Sequence, residues 1–417
     1  MKKPKIAICN ISNFQDFPIG GTMLLLKQML PELKKYFNIS LIGFDYKKSK
    51  KIGWQKLKIP EGNFDFISIP YPKYLLKISE KINKNNYKNQ YAEPLEALVK
   101  KYDNILRIIY HNGLYQIKNE LEQKDFDLFY IHVPAAVQSI YDMFPNKKIL
   151  FHLHGPCYPL SMISAQEQKT IYKNYQKLYD NAFELSKKTL FVGDQKTCSE
   201  FVKKYPKQKN KFIATSNLVN QKTFYPRNKL KMREKWNLPK NKFLINFVGR
   251  LHKVKGLNLL IKSLPSVLKK INAEIIFIGD GEERKKLKNL AQKLKIEKNV
   301  KFFGFKNSQE IAEINSACDL FVLPSYTEGF SVALLEAMSC GEPTISTNVC
   351  GVIDQIDEGK NGYILKNRNP KKLAKYISEV SKNQKEFSKN AIKKSKNFSS
   401  ISVAKKIANV ANKIIDF

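Results

Sequence analysis

Residues 323–341 read LPSYTEGFSVALLEAMSCG, and this stretch decides the fold. It begins at the end of the apolar run 320–323, continues through a polar loop that holds Glu328 and Gly329, and ends in a helical pattern that holds Glu336. Strand, loop and helix in that order are typical of a parallel α/β unit. The first amides of such a helix lack intrahelical partners, so the loop predicts a site for an anion such as a phosphate.

The same alternation of short apolar runs and helical patterns extends over most of the chain. Apolar runs occur at 6–9, 39–43, 128–132, 148–153, 189–192 and 211–214, and a second series occurs at 243–248, 274–278, 300–303, 320–323 and 344–346. The polar stretch 217–242, with Pro226 and Pro239, predicts a connection between two units. We therefore expect two doubly wound domains, 1–218 and 219–394, and a terminal helix over about 395–417 that packs back on the first.

The composition is that of a folded and very basic protein. The chain has 417 residues, 43% of them apolar, and Lys plus Arg total 73 against 37 Asp plus Glu, a net charge of +36. Codon bias toward Lys, Asn and Ile accounts for this charge as readily as an anionic partner does, whether nucleic acid, anionic lipid or a phosphorylated substrate. The six cysteines form no C-x-x-C pair and the start lacks a signal-peptide core, so we expect a cytoplasmic location.

A second cluster of charge follows the run 243–248. The sequence FVGRLHKVKG at 247–256 places Arg250 and Lys255 between a glycine turn and the next helical pattern. Arginine offers a fixed fork to phosphate oxygens and lysine offers a mobile point charge. Together they predict stabilisation of a diphosphate at the edge of the second sheet.

Six ordered motifs make the chain resemble a known family. They are E-x7-E from Glu328 to Glu336, GRLHKVKG at 249–256, IGDG at 278–281, VKFFGF at 300–305, NLVNQKTFYP at 217–226, and a Gly20-Gly21 turn that opens a helix. The chain is similar to the glycosyl transferases group 1, or glycosyltransferase family 4, which are retaining enzymes. The resemblance implies the GT-B fold, an α/β architecture of two Rossmann-like domains that face each other across a cleft.

The resemblance also implies the roles of the candidate site residues. The donor would be a UDP-linked sugar held mainly by the second domain, with Glu336 on the ribose hydroxyls and Glu328 as a catalytic group against the sugar. The backbone around Phe305 would touch the base. The remaining residues of the donor site would be Gly20, Gly21, Arg250, Lys255, Gly329, Phe330, Ser331 and Val332.

Histidines in the first domain allow two interpretations. His154 in FHLHGP at 151–156 matches a family histidine close to the donor sugar and is the second catalytic candidate, whereas His152 stands where the family has an apolar residue. His152 and His154 share one face of a strand and could bind a metal with His132 as third ligand. Hydrogen-bonded structural imidazoles are the favoured alternative. Because the family usually acts without a metal, we expect neither a metal nor a cofactor.

These expectations combine into a function. The chain would move a sugar to a glycan or lipid-linked acceptor in bacterial surface polysaccharide or glycoconjugate synthesis, by largely electrostatic stabilisation of the leaving diphosphate. Residues 71–85 predict a basic amphipathic helix, which either packs on its own domain or lies on an anionic membrane. The second interpretation predicts peripheral binding at the inner face of the cell membrane.

Two other protein classes compete with this function. A dinucleotide oxidoreductase is disfavoured, because residues 279–284 lack the third glycine of its fingerprint and no acidic residue lies in 299–303. A basic nucleic-acid-binding protein without transferase activity is suggested by the net charge of +36, although no nucleic-acid-binding module is recognised in the sequence.

Overall fold

The computed structural model describes residues 2–10, 21–44, 53–70, 105–154, 176–193 and 195–416. The chain forms two compact units: the first comprises 1–192, 198–215 and 404–417, and the second comprises 193–197 and 216–403. The predicted boundary after residue 218 lies three residues beyond Thr215. The terminal helix begins at Ser400, later than the predicted 395, and its residues from Ala404 onward belong to the first unit.

The first unit is built on an eight-stranded sheet in the order β3-β4-β2-β1-β5-β6-β7-β8. All neighbouring strands pair in parallel except β3 and β4, which form an antiparallel hairpin at one edge. The strands are β1 (Lys5–Cys9), β2 (Asn38–Phe44), β3 (Trp54–Ile59), β4 (Gly62–Ile69), β5 (Leu128–Ile131), β6 (Lys148–Leu153), β7 (Lys188–Val192) and β8 (Phe212–Thr215).

Helices cover this sheet, so its central strands are apolar throughout rather than alternating. Every residue of β5 is buried, as are the last five residues of β6. The helices are α1 (Gly21–Leu33), α2 (Ile105–Gln116), α3 (Lys118–Glu122), α4 (Pro134–Met143), α5 (176–185) and α6 (Gln195–Lys204).

The second unit is built on a six-stranded, wholly parallel sheet in the order β11-β10-β9-β12-β13-β14. The chain starts in the middle at β9, moves outward to β11, and crosses back to β12 beside β9. The carboxyl ends of β9 and β12 therefore flank the topological switch point, where open α/β sheets bind ligands. The strands are β9 (Phe243–Val248), β10 (Ala273–Ile278), β11 (Val300–Gly304), β12 (Leu320–Leu323), β13 (Thr344–Thr347) and β14 (Gly362–Leu365).

The helices of this unit are closed by side-chain caps at several N-termini. Asn307 begins α10 with a complete capping box, in which its side chain and that of Glu310 exchange backbone hydrogen bonds.

Among the described helices, none combines the length and the apolar composition needed to cross a bilayer. The helices are α7 (Lys229–Lys235), α8 (Asn258–Leu268), α9 (Arg284–Lys293), α10 (Ser308–Ala317), α11 (Val332–Ser339), α12 (Val352–Gln355), α13 (Pro370–Lys382), α14 (Gln384–Ser395) and α15 (Ser400–Ile415).

The stretch 217–242, which the sequence predicts to connect the two units, belongs to the second unit and holds a helix that was not predicted. This stretch contains α7, which begins at the N-cap Asn228 and carries the buried Arg233. The Arg233 guanidinium lies 2.5 Å from Asp319 and also donates to the Ala317 carbonyl, so α7 is fixed to the second unit. The hairpin β3–β4 and the edge strand β14 were also not predicted. The segment 71–85 lies outside the described residues.

Candidate active site

The loops that follow β9 and β10 lie against each other at the carboxyl edge of the second sheet. The amide of Gly249 donates to the Ile278 carbonyl and that of Leu251 donates to the Asp280 carbonyl, both at 2.9 Å. The backbones are so close that a Cβ on Gly279 would lie 2.1 Å from the Gly249 oxygen. Glycines at 279 and 281 are therefore required by close backbone approach, and Arg250 stands exposed on a rigid turn.

Lys255 and Glu328 form an ion pair across the switch point. Lys255 Nζ lies 2.7 Å from Glu328 Oε1, and the Ser325 hydroxyl donates to the same oxygen at 2.5 Å. The Glu328 side chain is only 12% exposed, so water screens this pair weakly. The charge pattern predicts that Lys255 contacts the diphosphate, and the family resemblance implies that Glu328 lies against the sugar. The structure brings these two residues into direct contact and so fixes the orientation of the carboxylate.

Arg368, which the sequence did not single out, joins the two loops that carry this ion pair. It follows β14, and its guanidinium donates to the carbonyls of Pro324, Ser325 and Gly256 at 2.6, 3.2 and 3.1 Å. The same group stacks 3.7 Å above the ring of Tyr326. These partners are distant in sequence and most are backbone carbonyls, so the sequence around position 368 does not predict the contacts.

Side chains from other segments hydrogen-bond the carbonyls of the loop before α11, whereas the amides of this loop have no acceptor among the described residues. Asn217 donates to the Phe330 carbonyl at 3.1 Å and Gln355 donates to the Ser331 carbonyl at 3.0 Å. The Ser331 hydroxyl accepts from the amide of Leu334, which makes Ser331 the N-cap. Within the described part of the chain, the amides of residues 329–332 find no acceptor. Together with the positive end of the helix dipole, these amides are suited to bind an anion.

Glu336 lies on α11 and differs from Glu328 in its surroundings. Its carboxyl is half-buried and makes no hydrogen bond or ion pair with any residue that the structure describes. Burial raises the pKa of Glu336 to about 8. A half-buried carboxyl without a protein partner is suited to accept hydrogen bonds from ligand hydroxyls.

Phe305 continues the same edge beyond β11. It is 63% exposed and follows Gly304, whose positive φ of 69° turns the chain away from the strand. The Gly304 carbonyl accepts from the Gly279 amide at 2.7 Å, which joins this segment to the loops after β9 and β10. The family resemblance implies that the backbone here contacts the base of the nucleotide.

In the first unit, the histidines gather where β5 and β6 end. His132 Nδ1 lies 2.6 Å from His154 Nε2, and the Tyr130 hydroxyl lies 2.6 Å from His152 Nδ1. Gly21 is the first residue of α1, whereas Gly20 lies outside the described residues. Tyr130 was not among the predicted site residues, although its position two residues before His132 places both on one face of the strand.

Burial sets the charge of this histidine group. It lowers the pKa of His154 to about 3 and the pKa values of His132 and His152 well below the usual range. For His132 and His152 the neighbouring imidazoles add to this effect, because like charges disfavour protonation. All three imidazoles are therefore neutral at physiological pH. A neutral imidazole accepts or donates a hydrogen bond but supplies no positive charge.

Comparison with known proteins finds similarity to glycosyltransferases. A model of the glycosyl transferases group 1 family matches residues 228–398, which include Arg250, Lys255, Glu328 and Glu336. The uncharacterized glycosyltransferase MJ1178 of Methanocaldococcus jannaschii is 28% identical over 327 residues, 76% of this chain and 82% of that protein. Another from the same organism, MJ1607, is 32% identical over 152 residues, and this match covers 36% of this chain and only 39% of that protein.

A solved structure shows the same fold over nearly the full length. Anabaena HepE, crystallised in complex with UDP, superposes with a TM-score of 0.66 at 18% identity, covering 98% of this chain and 100% of that chain. The expected GT-B fold with two Rossmann-like α/β domains is thus confirmed. The chain thus has the GT-B fold, and over residues 228–398 it is similar to the glycosyl transferases group 1 family.

Proposed function

We propose that this protein transfers a sugar from a UDP-linked donor to a glycan or lipid-linked acceptor, with retention of the anomeric configuration. The observation that carries the proposal is the carboxyl edge of the second sheet. There Arg250, Lys255, Glu328 and the free amides of 329–332 stand on loops that flank one switch point. HepE, which shares the fold, binds UDP.

Each group has a place in the proposed reaction. Breaking the bond between sugar and phosphate leaves positive charge on the anomeric carbon and negative charge on the departing diphosphate. Arg250, Lys255 and the α11 amides stabilise the diphosphate, and they require little reorganisation because the loops are already fixed. Glu328 and His154 orient the sugar, the latter on the strength of the family resemblance. Glu336 accepts hydrogen bonds from the ribose.

The donor is tested by thermal shift and by product analysis. A panel of UDP-, GDP- and ADP-sugars is added to the protein, and the matching donor raises the melting temperature because it binds the folded state alone. The configuration of the transferred or hydrolysed sugar is then read by proton NMR. A panel without any shift, or a product of inverted configuration, would contradict this proposal.

The nucleic-acid alternative has a different signature. Its support is the net charge of +36, which by itself predicts salt-sensitive binding to any polyanion. Filter binding of nucleic acid that persists at physiological salt, in a protein that neither binds nor hydrolyses any sugar nucleotide, would favour that class.

We further propose that the acceptor is met at an anionic membrane surface, through the basic pattern at 71–85. Each lysine near such a surface contributes about 1 kcal/mol of attraction. Liposome flotation at low salt should recover more protein with anionic than with neutral vesicles. Replacing Lys73, Lys77, Lys81 and Lys84 with Glu should abolish the difference. Equal recovery with both vesicle types would exclude this mode of binding.

A further inference from the structure

The three histidines at the ends of β5 and β6 form a compact group of nitrogen ligands. Each of His132, His152 and His154 offers one ring nitrogen, and the three nitrogens lie within 4.8 Å of one another. The ring centroids are 5.3 Å apart for His132 and His152, 4.9 Å for His132 and His154, and 4.2 Å for His152 and His154.

Hydrogen bonds within the group leave part of it unsatisfied. His132 is 7% exposed and His152 is 0% exposed, yet the Nε2 atoms of both rings lack a hydrogen-bond partner in the structure. A buried polar atom without a partner costs free energy, and most such atoms in folded proteins are therefore satisfied. The favoured interpretation from the sequence, hydrogen-bonded structural imidazoles, accounts for the paired nitrogens only.

We propose that His132, His152 and His154 bind one divalent transition-metal ion of the zinc class. Imidazole nitrogen is a preferred ligand of zinc, and three protein ligands with one open position are a common zinc arrangement. His154 is half-buried, whereas the other two are buried, so the fourth position opens on its side. Water, hydroxide or an anionic group would complete the tetrahedron there.

The rings need only a small adjustment to take this geometry. Zinc-to-nitrogen bonds of about 2.0–2.1 Å place the ligating nitrogens of a tetrahedral site roughly 3.3 Å apart. Starting from separations within 4.8 Å, and 2.6 Å between His132 Nδ1 and His154 Nε2, each distance changes by about 1.5 Å or less. His154 makes most of this adjustment because it follows the last residue of β6 and is half-buried. Its hydrogen bond with His132 is exchanged for the metal bond.

Tyr130 supplies the outer contact that such a site requires. Its hydroxyl oxygen lies 2.6 Å from His152 Nδ1. When Nδ1 carries the proton and donates to Tyr130, the lone pair of Nε2 is free for the metal. Outer partners of this kind fix the tautomer and the orientation of a ligating histidine, and their loss typically lowers metal affinity 10- to 100-fold.

We propose that the donor diphosphate is stabilised without a metal ion, so the zinc site is separate from it. The zinc site shares only His154 with the proposed sugar site, and a zinc ion on one ring nitrogen would hold this imidazole in place and leave the other nitrogen for the sugar. Its test is therefore metal binding itself. Tag-free protein is dialysed against a zinc buffer or a magnesium buffer, and bound metal is measured by elemental mass spectrometry. We expect one zinc ion per chain and no bound magnesium, because imidazole is a poor ligand for the hard magnesium ion.

Variants locate the bound zinc. His152→Gln and His132→Gln should each lower zinc affinity at least about 100-fold, and Tyr130→Phe about 10- to 100-fold. His111→Gln, on α2 and outside the group, is the matched control and should bind zinc as the wild type does. Circular dichroism checks that each variant folds. If a histidine variant does not fold, Tyr130→Phe provides the test in its place.

Cobalt gives a second readout on the unaltered chain. A tetrahedral cobalt site absorbs strongly in the visible range, and zinc should displace this signal at one equivalent. Wild-type protein that binds no zinc, or zinc binding that survives in both His152→Gln and Tyr130→Phe, would overturn the proposal. Wild-type protein that binds zinc but transfers no sugar from any donor would instead contradict the proposed function.

Discussion

The carboxyl groups of Glu328, in the loop before α11, and Glu336, on α11, have different surroundings. We infer from this difference that they have different roles. Glu328 is held by Lys255 and Ser325, whereas Glu336 has no partner among the described residues. A carboxylate that is already paired is oriented in advance, which suits a group that must face a reacting sugar. A carboxyl without a partner gains hydrogen bonds only when a ligand arrives.

We therefore expect opposite kinetic effects from the two glutamates. Glu336→Ala should weaken nucleoside-diphosphate binding by about 1.5–3 kcal/mol for each charged hydrogen bond lost. Glu328→Gln should mainly lower turnover and should not weaken nucleotide binding, because loss of the carboxylate charge leaves Lys255 free to contact the phosphates. Isothermal titration of both variants measures nucleotide affinity, and steady-state kinetics measures turnover. Unchanged UDP affinity in Glu336→Ala would disprove the ribose assignment.

The pKa of Glu336 adds a pH dependence with a definite sign. The unliganded carboxyl is protonated below its pKa of about 8. Ribose hydroxyls donate to the ionised form, so binding below that pH releases a proton. Affinity for uridine should rise by up to about tenfold per pH unit as the pH approaches 8, and level off above it.

Titration of uridine binding at several pH values tests this linkage. Uridine is used because it carries no titrating phosphate. Glu336→Gln is the matched control: it keeps the shape of the side chain and should remove the pH dependence. A wild-type affinity that does not change with pH would contradict the assignment.

At the scale of secondary-structure elements, the site depends on loops that distant residues hold together. Arg368, after β14, bridges the loop after β12 and the turn at Gly256. Pairing between β9 and β12 aligns the ends of these strands but does not fix the loops beyond them. Arg368 supplies that constraint, and it thereby positions the loops that carry Lys255 and Glu328.

Arg368→Ala should loosen both loops and weaken UDP binding by about tenfold, or roughly 1.4 kcal/mol. Arg368→Lys should recover little of this loss, because an ammonium group cannot span three carbonyls or stack as the guanidinium does. Lys366→Ala, at an exposed position on the same segment, is the control for loss of charge. Equal UDP affinity in all three variants would exclude the positioning role of Arg368.

The strands that are buried on both faces of a sheet could be predicted from the sequence, because burial requires a continuous apolar run. The runs that became β5, β6, β9 and β10 are apolar because helices cover their sheets, and this leaves a clear signal. β3 carries lysines at its exposed positions and α7 spans only seven mostly charged residues, so neither has a continuous apolar pattern. Their positions are decided by tertiary contacts, such as Arg233 with Asp319.

The candidate site divides in the same way. Arg250, Lys255 and both glutamates could be found because they lie within recognisable motifs, Glu336 on α11 and the other three in loops that follow strands. Arg368 and Tyr130 could not, since their importance rests on contacts with carbonyls and a ring nitrogen in other segments. Motif spacing also gave no indication that Lys255 and Glu328 contact each other.

At the scale of the whole molecule, we propose that positive charge at the donor site takes the place of a divalent cation. Arg250, Lys255 and the α11 dipole would provide the field that magnesium supplies in other phosphate sites. We expect transfer to persist in EDTA and to gain nothing from added magnesium or manganese. Activity that stops in EDTA and returns with magnesium would contradict this account, whereas return with zinc alone would point to the histidine group.

The last helix of the chain belongs to the first unit, and this affects how the protein is made. From Ala404 onward α15 buries Ala404, Ile407, Ala408 and Ala411, and Lys148 donates to the carbonyl of Ile415 at 2.8 Å. A ribosome therefore completes the whole second unit before it delivers the segment that finishes the first. Until then the nascent first unit lacks this cover and must be sheltered from aggregation. An isolated first unit is correspondingly better engineered by joining 404–416 to residue 215 than by simple truncation.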